Sequence, residues 1–252
     1  MQMKKLTLRE KSILAGLYMS KFDFEGLKYL GFDSYTEAFN VIGLALGVQP
    51  ASVKNYRDEF DPLFPNKRKG WHKRGIRKYC KDIYDTFHAL NLRDFSLLLK
   101  DIIYKDHDLD VLMEEVAKSE GDKESSFAKR LITGQAAEQY FKDNFLSVDL
   151  FKGYYFEDTT KAGCGFDFKL VAKEKRYFFG VEVKGLNDQN GNIILTNKEH
   201  TVAGLLKERY FIFVVKNFRE KPHHQVYRDP IETLKFNKIE NRITQISWNV
   251  AV

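Results

Sequence analysis

The sequence predicts an α+β protein, or a closely related α/β one: an all-helical first half followed by a mixed β-sheet flanked by helices. Three observations carry this. Apolar residues in the first half recur at helical spacing, as at Leu8, Ile13, Leu14 and Leu17, and again at Ala38, Phe39, Ile42 and Leu46. Beyond Val148 the pattern changes to short aromatic and β-branched runs bounded by glycine and polar turns. Tyr210–Val215 is a continuous apolar run, the mark of a strand buried on both faces. The division expected is a helical domain over 1–120 and a second domain over 121–252, joined at Ser119–Ser126 (Ser-Glu-Gly-Asp-Lys-Glu-Ser-Ser).

The totals narrow the class. A chain of 252 residues with 43% hydrophobic content and 14% aromatic residues can pack substantial cores, which excludes wholesale disorder. The net charge of +6 favours a polyanionic partner. Cys80 and Cys164 are the two cysteines, too far apart for a zinc-ligand spacing, and they suggest no disulfide framework. With no signal-like segment and no apolar run of membrane length, the expectation is a soluble, cytoplasmic protein with no membrane partner.

Element by element, Thr7 caps a first helix over Thr7–Leu17, with Glu10 three residues on, and a short helix follows near Phe24–Leu30, ending at Gly31. Thr36–Leu46 is the next helix; Gly47 breaks it and Pro50 opens another. The pair reads as a helix-turn-helix, with small Gly43 at the close approach and Val48, Val53 and Tyr56 inward, although any αα-hairpin with a glycine turn shares this pattern. Its second helix is expected to expose Gln49, Ser52, Lys54, Asn55 and Arg57 toward base edges or phosphates in a major groove. Pro62–Lys81 then holds eight basic residues and no acidic one: Lys67, Arg68, Lys69, Lys73, Arg74, Arg77, Lys78 and Lys81, interleaved with Trp71, His72 and Tyr79. Such a run is usually a solvated face; beside a helix-turn-helix it reads as a phosphate track. Ile83–Ile103 is helical, with Ile83, Phe87, Leu90, Leu97, Leu98 and Ile102 as core, and Asp101–Glu120 is an acidic, solvated helix closing the domain.

The second half opens with a helix over Arg130–Phe145, then a strand over Val148–Phe156 and a flexible approach over Asp158–Gly165. Phe166–Val171 and Tyr177–Val183 are two strands joined by the charged Ala172–Arg176 turn, which places Asp167 roughly opposite Glu182. Glu182 and Lys184 are two apart on one strand and share a face. Gathering these charges on an apolar hairpin costs energy unless they pair or hold a cation. An exposed ion pair is the plain reading of Glu-x-Lys alone. The chemistry the trio suits is metal-assisted phosphodiester hydrolysis: Asp167 and Glu182 as hard oxygen ligands for Mg²⁺, with Mn²⁺ able to substitute, and Lys184 serving the attacking water. Gly163 and Gly165 would let a nucleic-acid backbone approach Asp167. A short strand over Ile193–Leu195, a helix capped by Thr196 with Glu199 completing a capping box, and the Tyr210–Val215 strand follow. His223-His224 reads as a polar loop, and Phe218–Val252 carries no further chemistry.

The Asp167…Glu182-Val183-Lys184 pattern resembles the P-D…(D/E)-x-K nuclease superfamily of restriction and repair enzymes, with Phe166 where those have proline. The resemblance extends to Gly134-x-x-Ala137-Glu138, Gly165-Phe-Asp167, Val181-Glu-Val-Lys-Gly185, Leu195-Thr-x-x-Glu199 and Tyr210-Phe-Ile-Phe-Val-Val, over about Arg130–Pro230. In this order the blocks are similar to the nuclease-fold domain at the C-terminus of the plant protein NO VEIN, which also occurs in bacterial restriction and defence proteins; His200 stands where the family often has tryptophan. The resemblance implies a restriction-endonuclease-like mixed sheet and a third metal carboxylate, Glu138. It also implies a sequence-specific DNA endonuclease of restriction type that works as a homodimer on double-stranded DNA. A cognate methyltransferase acting on the same site would be its partner. A modification-dependent or structure-selective defence nuclease is the alternative, and a DNA-binding regulator on an inactive nuclease fold is the alternative of another class.

Overall fold

The computed structural model describes residues 6–103, 122–173 and 175–239. Helices come first and a five-stranded mixed sheet follows, flanked by helices. Helix α1 (Leu8–Tyr29) opens on the expected capping box: Glu10 N–H donates to the Thr7 hydroxyl and Thr7 N–H to the Glu10 carboxylate. The two helices expected here meet at a kink at Asp23, whose φ of +49° and ψ of −136° are not helical. Its carboxylate accepts from the Tyr35 hydroxyl and from Arg68, so a polar network holds the bend. A Cβ on Gly16 would meet the Tyr56 Cβ at 2.5 Å, so α1 crosses the third helix at backbone contact.

Helices α2 (Tyr35–Ala45) and α3 (Pro50–Phe60) form the expected hairpin, with Ser34 capping α2 one residue ahead of the expected start. Gly47 takes φ +70° in the turn, and a Cβ on Gly43 would lie 2.8 Å from Pro50 Cα. Both glycines are thus required by the turn and the close approach. The single helical pattern over Ile83–Ile103 becomes two helices, α4 (Lys78–Phe87) and α5 (Leu92–Ile103). The break is satisfied by Lys21, whose ammonium donates to the carbonyls of His88 and Leu90, and by Asn91, whose side chain accepts from Asp94 N–H. The new phase turns Leu97 out, 40% exposed, and buries Phe95, Leu99 and Ile103 instead. The acidic stretch beyond Ile103 lies outside the described residues.

Helix α6 (Asp122–Asn144) starts well before Arg130, so Asp122–Ser126, expected as linker, is helical. It docks on the helical half through Lys129 to Glu37 at 2.7 Å and Gln135 to the Ala45 carbonyl at 3.2 Å. Asn40 of α2 in turn caps the carbonyls of Phe218 and Glu220. One apolar core runs without interruption from α1 to the sheet.

The strands are β1 (Tyr155–Asp158), β2 (Phe168–Val171), β3 (Phe179–Gly185), β4 (Tyr210–Lys216) and β5 (His223–Arg228), in that spatial order. All neighbours are antiparallel except β3 and β4, whose parallel pairing needs a crossover, supplied by α7 (Asn197–Leu206). The strand expected over Val148–Phe156 begins only at Tyr155, because Phe145–Ser147 and Asp149–Phe151 are short 3₁₀ turns. Ile193–Leu195 is not a strand, and His223-His224 opens β5 rather than a loop. A final turn of helix, α8, spans Pro230–Thr233.

Alternation divides the sheet into two faces. Phe168, Val181, Val183, Phe211 and Phe213 pack beneath α6, where Phe141 stacks on Phe168. Tyr210, Ile212 and Val214 pack with Ala203 of α7 on the other. No helix among the described residues is long and apolar enough to cross a membrane.

Candidate active site

Strand pairing aligns the expected trio. Phe168 stands opposite Val181 in the antiparallel β2–β3 ladder, and Asp167 lies one residue ahead of it, at the end where β3 carries Glu182. Lys184 pairs with Val214 and Glu182 with Ile212, both on the α7 face, so Glu182 and Lys184 share that face, and Asp167 lies near enough for its charge to raise Glu182. One backbone bond and one to a side chain tie Asp167 to β3: Asp167 N–H donates to the Val181 carbonyl at 3.0 Å, and Val183 N–H donates to the carboxylate Oδ2 of Asp167 at 2.8 Å.

Glu182 is buried, 4% exposed, and its Oε1 accepts from Lys184 Nζ at 2.5 Å. Lys184 donates a second bond, at 3.0 Å, to Glu199 Oε2 of α7. The same Glu199 oxygen accepts from Thr196 N–H at 2.9 Å, and Thr196 Oγ1 accepts from Glu199 N–H in return. The capping box therefore does two jobs: it starts α7, and it aims Glu199 at the lysine.

Gly165 lets α7 lie this close. Its φ is +92°, and a Cβ there would stand 2.7 Å from Val202 Cγ2. Sequence reasoning assigned that missing side chain to an approaching nucleic acid; α7 occupies the space instead. Gly163, at φ +57°, has only Lys198 Nζ near its missing Cβ. The Tyr210 hydroxyl holds the Gly165 carbonyl at 2.9 Å and fixes the approach to Asp167.

The electrostatics are unbalanced. Among the described residues, Lys184 is the ammonium that acts on Asp167 and Glu182, against the charge of Glu199. Burial, opposed by the Val183 N–H and by Lys184, raises Asp167 above the usual carboxylate range. Burial and then the charge of Asp167 raise Glu182 as well, against the pull of Lys184. Glu138 sits on α6, the helix that covers the other face, yet it feels Asp167: burial first and that charge second push it up to about 7. Carboxylates held this way are short of positive charge.

Hard oxygen donors that share a single ammonium fit a magnesium ion. Among the described residues, no three His, Cys, Asp or Glu side chains form a ready-made metal shell. Magnesium is commonly bound through one or two carboxylates with water completing its octahedron, and Asp167 and Glu182 would be those carboxylates here, with Glu138 in electrostatic reach of Asp167.

The residues expected to meet DNA divide into two groups. Gln49, Lys54 and Asn55 are exposed on α3, and Ser52 is half-buried. Arg57 is a correction: it is 9% exposed, bonded to Asp58 at 2.5 Å, 3.7 Å from Asp61 and laid over the rings of Tyr35 and Phe39. It sits one helical turn before Asp61, a spacing that ties it inward. Lys67, Lys69 and Lys73 are exposed. Arg68 is another correction, clamped by Asp61 at 3.0 Å and Asp23 at 2.6 Å. Arg74 joins Arg77 on the buried Glu59, at 2.5 and 2.8 Å. The run shows one sign in sequence because its acids come from α1, from α3 and from the residue that follows α3.

Sequence reasoning gives Glu199 a capping role, with ordering of the active-site loop as the alternative, but does not reveal its bond to Lys184. Its capping role supplied a full local explanation, and nothing local reports a bond across 15 residues. Residues 137–228 match the family model described as Protein NO VEIN, C-terminal, a span that holds Glu138, Asp167, Glu182, Lys184, Glu199 and all five strands. No curated protein matches the chain, and no solved structure matches it.

Proposed function

We propose that this protein is a metal-dependent DNA endonuclease of restriction type. The observation that carries the reading is Glu182 and Lys184 on one face of β3, with Asp167 near enough for its charge to raise Glu182 and with Glu199 on the same lysine. The family match is compatible with a nuclease-like domain. Asp167 and Glu182 would hold Mg²⁺, or Mn²⁺ in its place, which supplies Lewis acidity toward the phosphate and lowers the pKa of bound water.

This chain's own groups do the rest. Lys184 keeps its proton, since its two carboxylate partners outweigh its burial, so it serves as a fixed cation beside the charge that develops on the phosphate. Glu138, poised near 7, can take up or release a proton at neutral pH. The Val183 N–H orients Asp167. The exposed Gln49, Lys54 and Asn55 of α3, with Lys67, Lys69 and Lys73 beyond it, would read and grip duplex DNA. One such centre hydrolyses one bond at a time, so cutting both strands calls for a homodimer, and a restriction role in the cytoplasm calls for a methyltransferase acting on the same site.

A second reading, a DNA-binding regulator on a silent nuclease fold, draws support from the lysine already engaged by two carboxylates and from the lack of a ready-made metal shell among the described residues. Incubating the protein with plasmid and phage DNA, unmodified, methylated and branched, in Mg²⁺ or Mn²⁺ separates the readings. Nicking or cutting that Asp167→Ala abolishes supports the nuclease and shows whether modification matters. No cleavage of any substrate, with DNA binding lost in Lys54→Ala, leaves the regulator.

A further inference from the structure

Beside the carboxylate cluster lies a groove that the reading above does not use. It has a volume of about 1190 Å³ and lies between the segment after β3, the ends of β4 and β5 at Val214, Lys216 and Tyr227, and the chain beyond α8. That exceeds the roughly 300–1,000 Å³ of ordinary small-ligand pockets. Its inner end touches the site: Thr196, whose N–H holds Glu199, lines it, and so does Val214, the ladder partner of Lys184.

The lining has two kinds of wall. Lys216 and Lys235 contribute ammonium groups, and among the described residues no carboxylate lines the groove. Tyr227, Phe236 and His200 contribute rings, with His200 and Phe236 edge to face at 5.5 Å between centroids. Those ammonium groups call for an anion. Rings set among aliphatic side chains call for flat apolar faces. A duplex offers its phosphates but keeps its base faces stacked inside, whereas a single strand offers both at once.

We infer that this groove binds a single-stranded stretch of nucleic acid, seating its bases against Tyr227 and Phe236 and its phosphates along Lys216 and Lys235, in line with the scissile phosphate at Lys184. The inference rests on the nuclease reading and adds to it: the strand to be cut is unpaired next to the cut, and the duplex-reading surface on α3 is a separate site.

Photo-crosslinking tests it on the full chain. An oligothymidylate carrying 5-iodouracil is bound without metal, irradiated, and the adducts are mapped by mass spectrometry. Adducts on Tyr227, Phe236 or His200 are expected, together with about a tenfold weaker affinity for the oligonucleotide in the Lys216→Ala/Lys235→Ala double variant. Its salt dependence should also be shallower, by about 0.7 in slope for each phosphate no longer neutralised. Adducts confined to other segments, or none, overturn the inference, as does an unchanged affinity in the double variant. Plasmid cleavage with Mg²⁺ is scored in parallel on the wild type. Cleavage without groove adducts defeats the groove alone, and adducts without cleavage defeat the nuclease reading alone.

Discussion

Glu59 and Glu182 are the same residue type, each 4% exposed, and their surroundings treat them in opposite ways. Glu59, in the helical half, accepts from the Arg77 N–H and from the guanidiniums of Arg74 and Arg77; these outweigh burial and hold its pKa below the ordinary value. Glu182, in the sheet, shares one lysine with Glu199 and lies near Asp167, and its pKa is raised. One buried carboxylate is oversupplied with positive charge and the other is undersupplied. The first arrangement is what a structural anchor needs. The second is what a site needs if a cation or a phosphate-bound cation is to complete it.

Mutation separates the two kinds. The largest effect expected is on activity: Asp167→Asn should lower Mg²⁺-dependent DNA cleavage by at least about a hundredfold while leaving the melting temperature level or raised, since it removes a buried charge. Nicking assays and calorimetry read both quantities; cleavage within a few-fold of wild type breaks the assignment. Glu59→Gln should do the reverse, costing about 2 kcal/mol of stability because two arginines and an N–H lose their anion, with residual cleavage by the folded fraction unchanged.

The pH dependence has a definite sign. Glu138 titrates at about 7 in the fold against an ordinary 4.5, so the fold keeps a proton that the unfolded chain has released. Stability therefore falls as pH rises from the lower value through the upper, by on the order of 1–3 kcal/mol, and Glu138→Gln should flatten that slope. Denaturant melts between pH 5 and pH 8 check it, and an identical slope in the variant rejects it. The smallest effects expected concern the helical half: Lys54→Ala should weaken duplex binding several-fold with stability within about 0.5 kcal/mol. Arg57→Ala should instead lower stability, because Arg57 is buried among Asp58, Tyr35 and Phe39. Equal losses of DNA affinity in both would return Arg57 to the recognition surface.

The same pair of regions shows what the sequence makes legible. The hairpin trio is readable because it depends on local rules: alternation puts Glu182 and Lys184 on one face, and a short charged turn folds Asp167 back toward them. The capping boxes at Thr7 and Thr196 and the glycine turn between α2 and α3 are equally local, and all are present. What fails is charge pairing over distance. Arg68 meets Asp23 from 45 residues away, Lys184 meets Glu199 across a crossover, and Lys21 stops a helix 67 residues downstream. A run of like charges in sequence therefore gives no account of its counter-charges, and a glutamate with a complete capping role gives no hint of a second partner.

The central claim is that the Asp167–Glu182 cluster is short of positive charge and that a divalent ion supplies it. Titrating Mn²⁺ at pH 7.5 and following the free ion by electron paramagnetic resonance tests it most directly. Binding should be seen in the wild type and in Glu59→Gln, and should be lost in Asp167→Asn and Glu182→Gln. Equal binding in Asp167→Asn, or none in the wild type, would contradict it.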